Sequence, residues 1–192
     1  MFLNKRQLEK IGFRKLGQNV LISDKCSIYG AENMKIGDNS RIDDFCLLSG
    51  NIEIGKYVHI GCHSVLLGKE EIILKDFSGV SINCTVLSSS ADFSGEYMTN
   101  PMIPDKFCNV RHAPVIFGRH SLLGAGSVVL PGVSLGEGAT IGAQSLVKTS
   151  VKSFEIWGGN PLRFIKNRRR DLLKLGRQVK NENSINRGCF AS

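Results

Sequence analysis

From Phe117 to Val151 a bulky apolar residue returns at every sixth position: Phe117, Leu123, Val129, Leu135, Ile141 and Val147. Four places after each stands a small residue: Ser121, Ser127, Val133, Ala139, Ser145 and Val151. An α-helix cannot use this spacing. At about 100° per residue, six steps turn about 240°, which scatters the bulky side chains over three faces. A strand keeps them on one face, but glycines at 118, 124, 136 and 142 interrupt any long strand. A short strand followed by a corner in every six residues fits. Three such units close one triangular coil, with bulky residues at the inner corners and small ones in the narrow interior. The pattern predicts a solenoid.

The rule extends backward. It starts weakly at Leu16, Ile22 and Ile28, with Val20 and Cys26 at the small places. It is clear at Ile36, Ile42, Leu48, Ile54, Ile60 and Leu66, with Ser40, Cys46, Val58 and Ser64. After an irregularity at 68–71 it resumes at Leu74, Val80 and Val86, with Ser78 and Cys84. Coils therefore run from about residue 14 to 151. Stacked at the strand spacing of ~4.7–4.9 Å, six or seven of them make a prism ~30 Å long. Cys26, Cys46 and Cys84 fall on small interior places and read as core fillers in a reducing compartment. Cys62, Cys108 and Cys189 have no assigned role.

Residues 1–13 form an N-terminal cap, in which NKRQLEKI (4–11) suits one or two helical turns with Leu8 and Ile11 inward. The segment 88–114 has three prolines and no six-residue period. A loop of this length inside a compact repeat is usually functional. Tyr97, Met98, Met102, Ile103 and Phe107 suit packing against a surface such as a neighbouring subunit. Residues 152–180 read as a turn and a basic helix: Gly158 and Gly159 turn the chain, Asn160 caps, and Pro161 takes the first helical position. The tail 181–192 reads as disordered. The net charge of +8 is concentrated here, because nine Lys/Arg and two Asp/Glu lie from Pro161 onward. The body is near neutral, and the basic tail lacks the interleaved aromatics of a nucleic-acid binder. No apolar run approaches the ~20 residues of a membrane span. The N-terminus lacks the apolar stretch of a signal peptide, so a cytoplasmic protein is expected.

The repeat, the WGGNP turn (157–161) and the basic C-terminal segment together resemble the hexapeptide-repeat acyltransferases. The resemblance implies a mainly β fold, a left-handed parallel β-helix with a protruding loop and a C-terminal helix, and dependence on acetyl-CoA. FSGEYMTNPMIPDKFCNV and FGRHSLLGAGSVVLPGV resemble sugar acetyltransferases of bacterial surface-polysaccharide and O-antigen pathways. Within that group the likeness is to enzymes that N-acetylate a dTDP-linked 4-amino-4,6-dideoxyglucose. It also implies a homotrimer with active sites between prisms. O-acetylation of a sugar hydroxyl is the alternative. A non-catalytic scaffold and a zinc enzyme of the γ-carbonic anhydrase type are more distant rivals. The zinc enzyme would need three converging histidines. His59 and His63 are suggestive, but nothing supplies the third, and no metal is expected.

Acyl transfer needs an acceptor lone pair, a group to take its proton and a donor for the oxyanion. The repeat turns His59, His63 and His120 outward, and His112 lies at the end of the loop. Related sugar and antibiotic acetyltransferases carry a catalytic histidine early in the loop. Here that place reads SSSADFSG, with Asp92 near it. His59 as base with Asp92 orienting it or the substrate is one solution. An amine acceptor needing little more than an aspartate or a water is the other. His63, Asn83, Tyr97 and Asn100 are assigned to the acceptor. By resemblance, the coenzyme arm lies along Ser121, Leu122, Ala125, Gly142 and Ala143. Lys148, Arg163 and Lys166 are placed to meet its phosphates.

Overall fold

The computed structural model describes residues 1–188, with side-chain surroundings given up to residue 182. It is a three-faced parallel β-helix. The first face stacks Lys15–Leu16, Lys35–Ile36, 53–54, 72–74, Val115–Phe117 and Ser134–Leu135. The second stacks Leu21–Ile22, Arg41–Ile42, His59–Ile60, Gly79–Val80, Leu122–Leu123, Thr140–Ile141 and Glu155–Gly158. The third stacks Ser27–Tyr29, 47–50, 65–68, Thr85–Leu87, Val128–Val129 and Leu146–Val147. Every pairing in these stacks is parallel and in step. The bulky residues from Ile36 to Val147 that define the repeat are buried, most at 0–1% exposure.

The small interior residues do more than leave room. Ser40 Oγ accepts from Val58 N (3.1 Å) and donates to Gly55 O (2.8 Å), joining its coil to the next. Ser64 does the same with Cys84 N and Ser81 O, and Ser127 with Ser145 N and Gly142 O. The thiols of Cys26, Cys46 and Cys84 donate to the carbonyls of Asp43, Gly61 and Gly124. A hydroxyl or thiol in this column satisfies corner backbone groups that a buried turn would otherwise leave unpaired. All three cysteines are free thiols.

Most corners carry a residue with positive φ. Between the first and second faces that place is held by Asn39, Tyr57, Phe77, His120 and Phe154. Positive φ costs a non-glycine residue. Here coil stacking offsets it, because the rung spacing brings flat rings into contact. Tyr57 stacks on Phe77 at 4.7 Å and Phe77 on His120 at 4.8 Å, both nearly parallel.

The ends depart from expectation in three ways. Helix α1 (Lys5–Ile11) forms as read, with a reciprocal Asn4–Gln7 capping box and Gly12 ending it in the left-handed region. The chain before it also joins the body: Leu3 N donates to Ile22 O, and the Met1 amine pairs with Asp24. The turn at 157–161 does not start a helix. Arg163–Asn167 runs back antiparallel to Glu155–Gly158, so 152–167 is a hairpin closing the last coil. Helix α2 (Leu172–Gly188) begins later and continues past 181, where a disordered tail was expected. Residues 189–192 of that tail lie outside the described residues.

Helix α2 packs along the ring-bearing corner. Gly176 lies against His120, where an added Cβ would sit 2.7 Å from the imidazole Cε1. Lys180 pairs with Asp76 at 3.0 Å and lies over the Phe77 ring. Arg168 donates to the carbonyls of His120 and Gly138. Burial, aided by Arg119, pushes the His120 imidazole below its ordinary value of 6.5. Between that lowered value and 6.5 the unfolded chain binds a proton that the native chain does not, so stability is lost as pH falls through this window. Burial pushes the Asp76 carboxyl up, but the Lys56 N–H and Lys180 outweigh it and hold it low. The stability from Asp76 is therefore lost only at more acid pH. His120→Asn, which tolerates positive φ, is expected to flatten the loss of stability as pH falls below 6.5, measured by urea denaturation.

Candidate active site

On the second face the outward residue before each buried one forms a column: Arg41, His59, Gly79, Leu122, Thr140. His59 Nε2 lies 2.7 Å from Asp43 Oδ2, and Arg41 Nε donates to Asp43 Oδ1 at 2.6 Å. Burial pushes the Asp43 carboxyl up, but His59 and Arg41 outweigh it and hold it below the usual carboxylate range. Asp43 is only 19% exposed, against 55% for His59. A carboxylate so placed fixes which imidazole nitrogen faces inward. Asn39, Tyr57 and Val58 complete an open cleft of about 480 Å3 around the pair. An adjoining cleft holds Phe2, Asp44, Phe45, Cys62 and His63, where His63 stacks on Phe45 at 5.0 Å. Asn83 occupies the same corner one coil on, with its N–H on Cys62 O.

Within one chain Asp92 bonds to Ser94 and Asn109 and not to His59. The loop leaves the third face after Leu87 and returns to the first face at Val115, so it stands on the corner opposite the second face. Its root is the antiparallel pair Ser89–Ala91 and Val110–His112. Ser88 anchors that root, accepting from Glu70 N and donating to Leu67 O. Asp92 accepts from Ser94 N (2.7 Å) and Asn109 Nδ2 (3.0 Å), and these bonds hold its carboxyl low. Tyr97 and Asn100 lie further out. Asn100 helps line a groove of about 560 Å3 between the loop and Lys69, and its Oδ1 accepts from Met102 N. One prism thus carries its histidine–aspartate pair on one side and its loop carboxylate on the other.

Of the residues assigned to the coenzyme, Ser121 is misplaced. It is 1% exposed and its Oγ has no hydrogen-bond partner among the described residues. Its N–H and C=O serve Gly118 and Gly79. The period already marks it as an interior residue. Leu122 is 39% exposed and leans over Gly79, two rungs above His59. Ala125, Gly142 and Ala143 share the next corner, where Gly124 approaches the Ala143 backbone so closely that a Cβ would clash. Gly142 spends its N–H on Trp157 O and its C=O on Ser127 and Ser145. Lys148 follows the third-face strand Leu146–Val147, while Arg163 and Lys166 sit on the exposed hairpin strand instead of a helix. Among the described residues no group of three or more His, Cys, Asp or Glu gathers as metal ligands would.

Asp43 is the residue missed from sequence. It carries a charge directly after Ile42, where glycine usually follows, and it precedes His59 by nearly one coil. That spacing was its signal.

Two family models match the chain: a bacterial transferase hexapeptide model over residues 33–68 and a hexapeptide repeat of succinyl-transferase over 114–146. The chain is 42% identical to the dTDP-4-amino-4,6-dideoxy-D-glucose acyltransferase of Escherichia coli, over 91% of this chain and 92% of that one. It is also 42% identical to the N-acyltransferase AntD of Bacillus cereus. The structure of AntD in complex with dTDP and 3-hydroxybutyryl-CoA superimposes with a TM-score of 0.92, covering 95% of this chain and 98% of AntD. A maltose O-acetyltransferase of Clostridium difficile, at 18% identity and a TM-score of 0.59 over 87% of this chain and 78% of that one, shares the fold alone. The prism is the left-handed parallel β-helix, and the chain belongs to the hexapeptide-repeat acyltransferases. The amino-sugar acyltransferase and AntD both match it over more than nine tenths of its length.

Asp43→Asn keeps the size but removes the charge that His59 faces. It is expected to lower turnover by about 10²-fold, read as the rate of thiol release from acetyl-CoA. Unchanged turnover would exclude the pair from catalysis.

Proposed function

We propose that this chain transfers an acetyl group from acetyl-CoA to the C4 amine of a dTDP-linked 4-amino-4,6-dideoxyglucose. The observation that carries this reading is the match along nearly the whole chain, loop included, to an enzyme named for that substrate. A variant of AntD is known in complex with dTDP-4-amino-4,6-dideoxyglucose and coenzyme A. AntD with 3-hydroxybutyryl-CoA indicates that acyl length varies among such enzymes.

The chemistry suits the residues. The bound ammonium gives up a proton to a nearby base, and its lone pair attacks the thioester carbonyl. A tetrahedral oxyanion forms. It collapses with cleavage of the C–S bond, the attacking nitrogen sheds its second proton, and the coenzyme thiolate takes up a proton. An amine is a far better nucleophile than a hydroxyl once deprotonated, so a carboxylate such as Asp92 suffices to hold and deprotonate it. His59, oriented by Asp43, is the alternative base.

The two groups belong to one site if the protein is a homotrimer in which the loop of one prism meets the second face of the next. Large apolar side chains exposed on the loop support such packing: Phe93 is 84% and Met102 88% exposed, with Met98 and Phe107 above half. In this arrangement Tyr97 and Asn100 approach the acceptor from the loop, and His63 and Asn83 from the neighbouring corner. The coenzyme arm follows Leu122, Ala125 and Ala143. The N–H groups of Ala125 and Ala143 carry no hydrogen bond among the described residues and can meet its amides. Lys148, Arg163 and Lys166 supply charge for its phosphates. No described helix is long and apolar enough to cross a membrane, and a cytoplasmic location is part of the proposal.

The reading is tested by thiol release from acetyl-CoA with dTDP-linked 4-amino and 4-hydroxy 6-deoxyglucose side by side. Turnover of the amine alone, with a mass gain of one acetyl group, is expected. Turnover of only the hydroxy sugar would establish O-acetylation and overturn the assignment. His59→Ala and Asp92→Asn are each expected to lower the rate by about 10²-fold or more.

A further inference from the structure

The loop root is a two-stranded antiparallel ribbon, so alternate residues face opposite ways. Ala91, Val110 and His112 line the groove toward Lys69. By alternation Ser90, Asp92, Asn109 and Arg111 share the other face. The contacts agree. Asn109 reaches across to Asp92, and the Arg111 guanidinium lies beside Gly132 on a later coil, 3.2 Å from where that glycine's Cβ would be. Gly132 has φ +85, and any side chain there would crowd Arg111 and Ala113. The Arg111 side chain makes no hydrogen bond or ion pair among the described residues, although Asp92 stands on the same ribbon face.

The register fixes how the two residues sit on the ribbon. Ser90 pairs with Arg111 and Ala91 with Val110, and the ladder continues through Asp92 N to Asn109 O at 2.9 Å. Asp92 and Arg111 are therefore diagonal neighbours, about 7–8 Å apart at the backbone. A carboxylate and an unpaired guanidinium on one ribbon face match the two charged ends of an amino sugar carried on a diphosphate, the amine on C4 and the phosphate beyond C1.

We propose that Arg111 grips the diphosphate of the nucleotide-linked sugar and thereby presents the C4 amine to Asp92. The inference rests on the acyl-transfer reading above and adds a specificity-determining residue to it. A fork of guanidinium donors binds a phosphate by paired charge-assisted hydrogen bonds. Coenzyme A also carries a diphosphate. The position beside Asp92 assigns Arg111 to the acceptor.

The test compares wild type, Arg111→Ala and Arg111→Gln with two acceptors, the dTDP-linked 4-amino sugar and the free 4-amino-4,6-dideoxyglucose, at varied acetyl-CoA. Both variants are expected to lose about tenfold or more in kcat/KM for the linked sugar. Activity on the free sugar and the KM for acetyl-CoA should be unchanged. An equal loss with both acceptors would make Arg111 merely structural. A loss confined to the KM for acetyl-CoA would move the contact to the coenzyme, and no loss would remove the contact altogether. Each of these overturns the inference while leaving acyl transfer standing. A wild-type protein that acylates neither sugar would overturn the functional reading itself, and the inference with it.

Discussion

Parallel pairing between consecutive coils, at one strand spacing per turn, is the constraint on which everything else in this molecule depends. It brings backbone against backbone at the corners, so Gly37, Gly118, Gly124 and Gly136 stand where a Cβ would lie within 2.6 Å of the next coil. It brings a positive φ to most corners. It leaves turn carbonyls and amides inside a prism too narrow for water, and serines and cysteines answer them from within. The same spacing equals the stacking distance of flat rings. Tyr57, Phe77 and His120 therefore form a rigid ridge, and helix α2 docks on it through Gly176 and Lys180.

Function follows from what that scaffold leaves outward. Residues in step on successive coils form columns, so Asp43, Arg41 and His59 meet because they are about one turn apart. Their hydrogen bonds need no loop to organise them. The loop is the opposite case. It starts where the period stops, on the far corner, and projects a carboxylate from a short ribbon tied to the prism by Ser88. A single prism cannot bring the two together, and the exposed apolar residues of the loop give a physical reason for prisms to associate.

Much of this was legible in the sequence because the period is itself the fold. A six-residue rule names the buried residue, the small interior residue and the outward residue of every coil, and the buried set from Ile36 to Val147 follows it. The same rule contained the correction at Ser121, whose small interior place and coenzyme assignment were incompatible. It also contained Asp43, a charge just after a bulky residue one turn before His59. What the sequence hid was non-periodic. Asn160 and Pro161 satisfy the rules for a helix start, yet the open edge of the last coil offers strand pairing at Glu155–Gly158, and Arg163–Asn167 takes it. The pairing of His59 was hidden for a related reason: the direction in which the loop leaves depends on which corner it interrupts, which is visible only once the faces are counted.

The proposed account makes the active site a joint property of neighbouring prisms, with His59 from one and Asp92 from the next. Mixing the two inactive variants tests this most directly. His59→Ala and Asp92→Asn proteins are unfolded and refolded together in equal amounts, and thiol release is measured with the dTDP-linked amino sugar. In a cyclic trimer with random assembly, about one site in four draws both intact residues from different chains, so about a quarter of wild-type activity should return. Activity no higher than that of the separate variants would contradict a shared site.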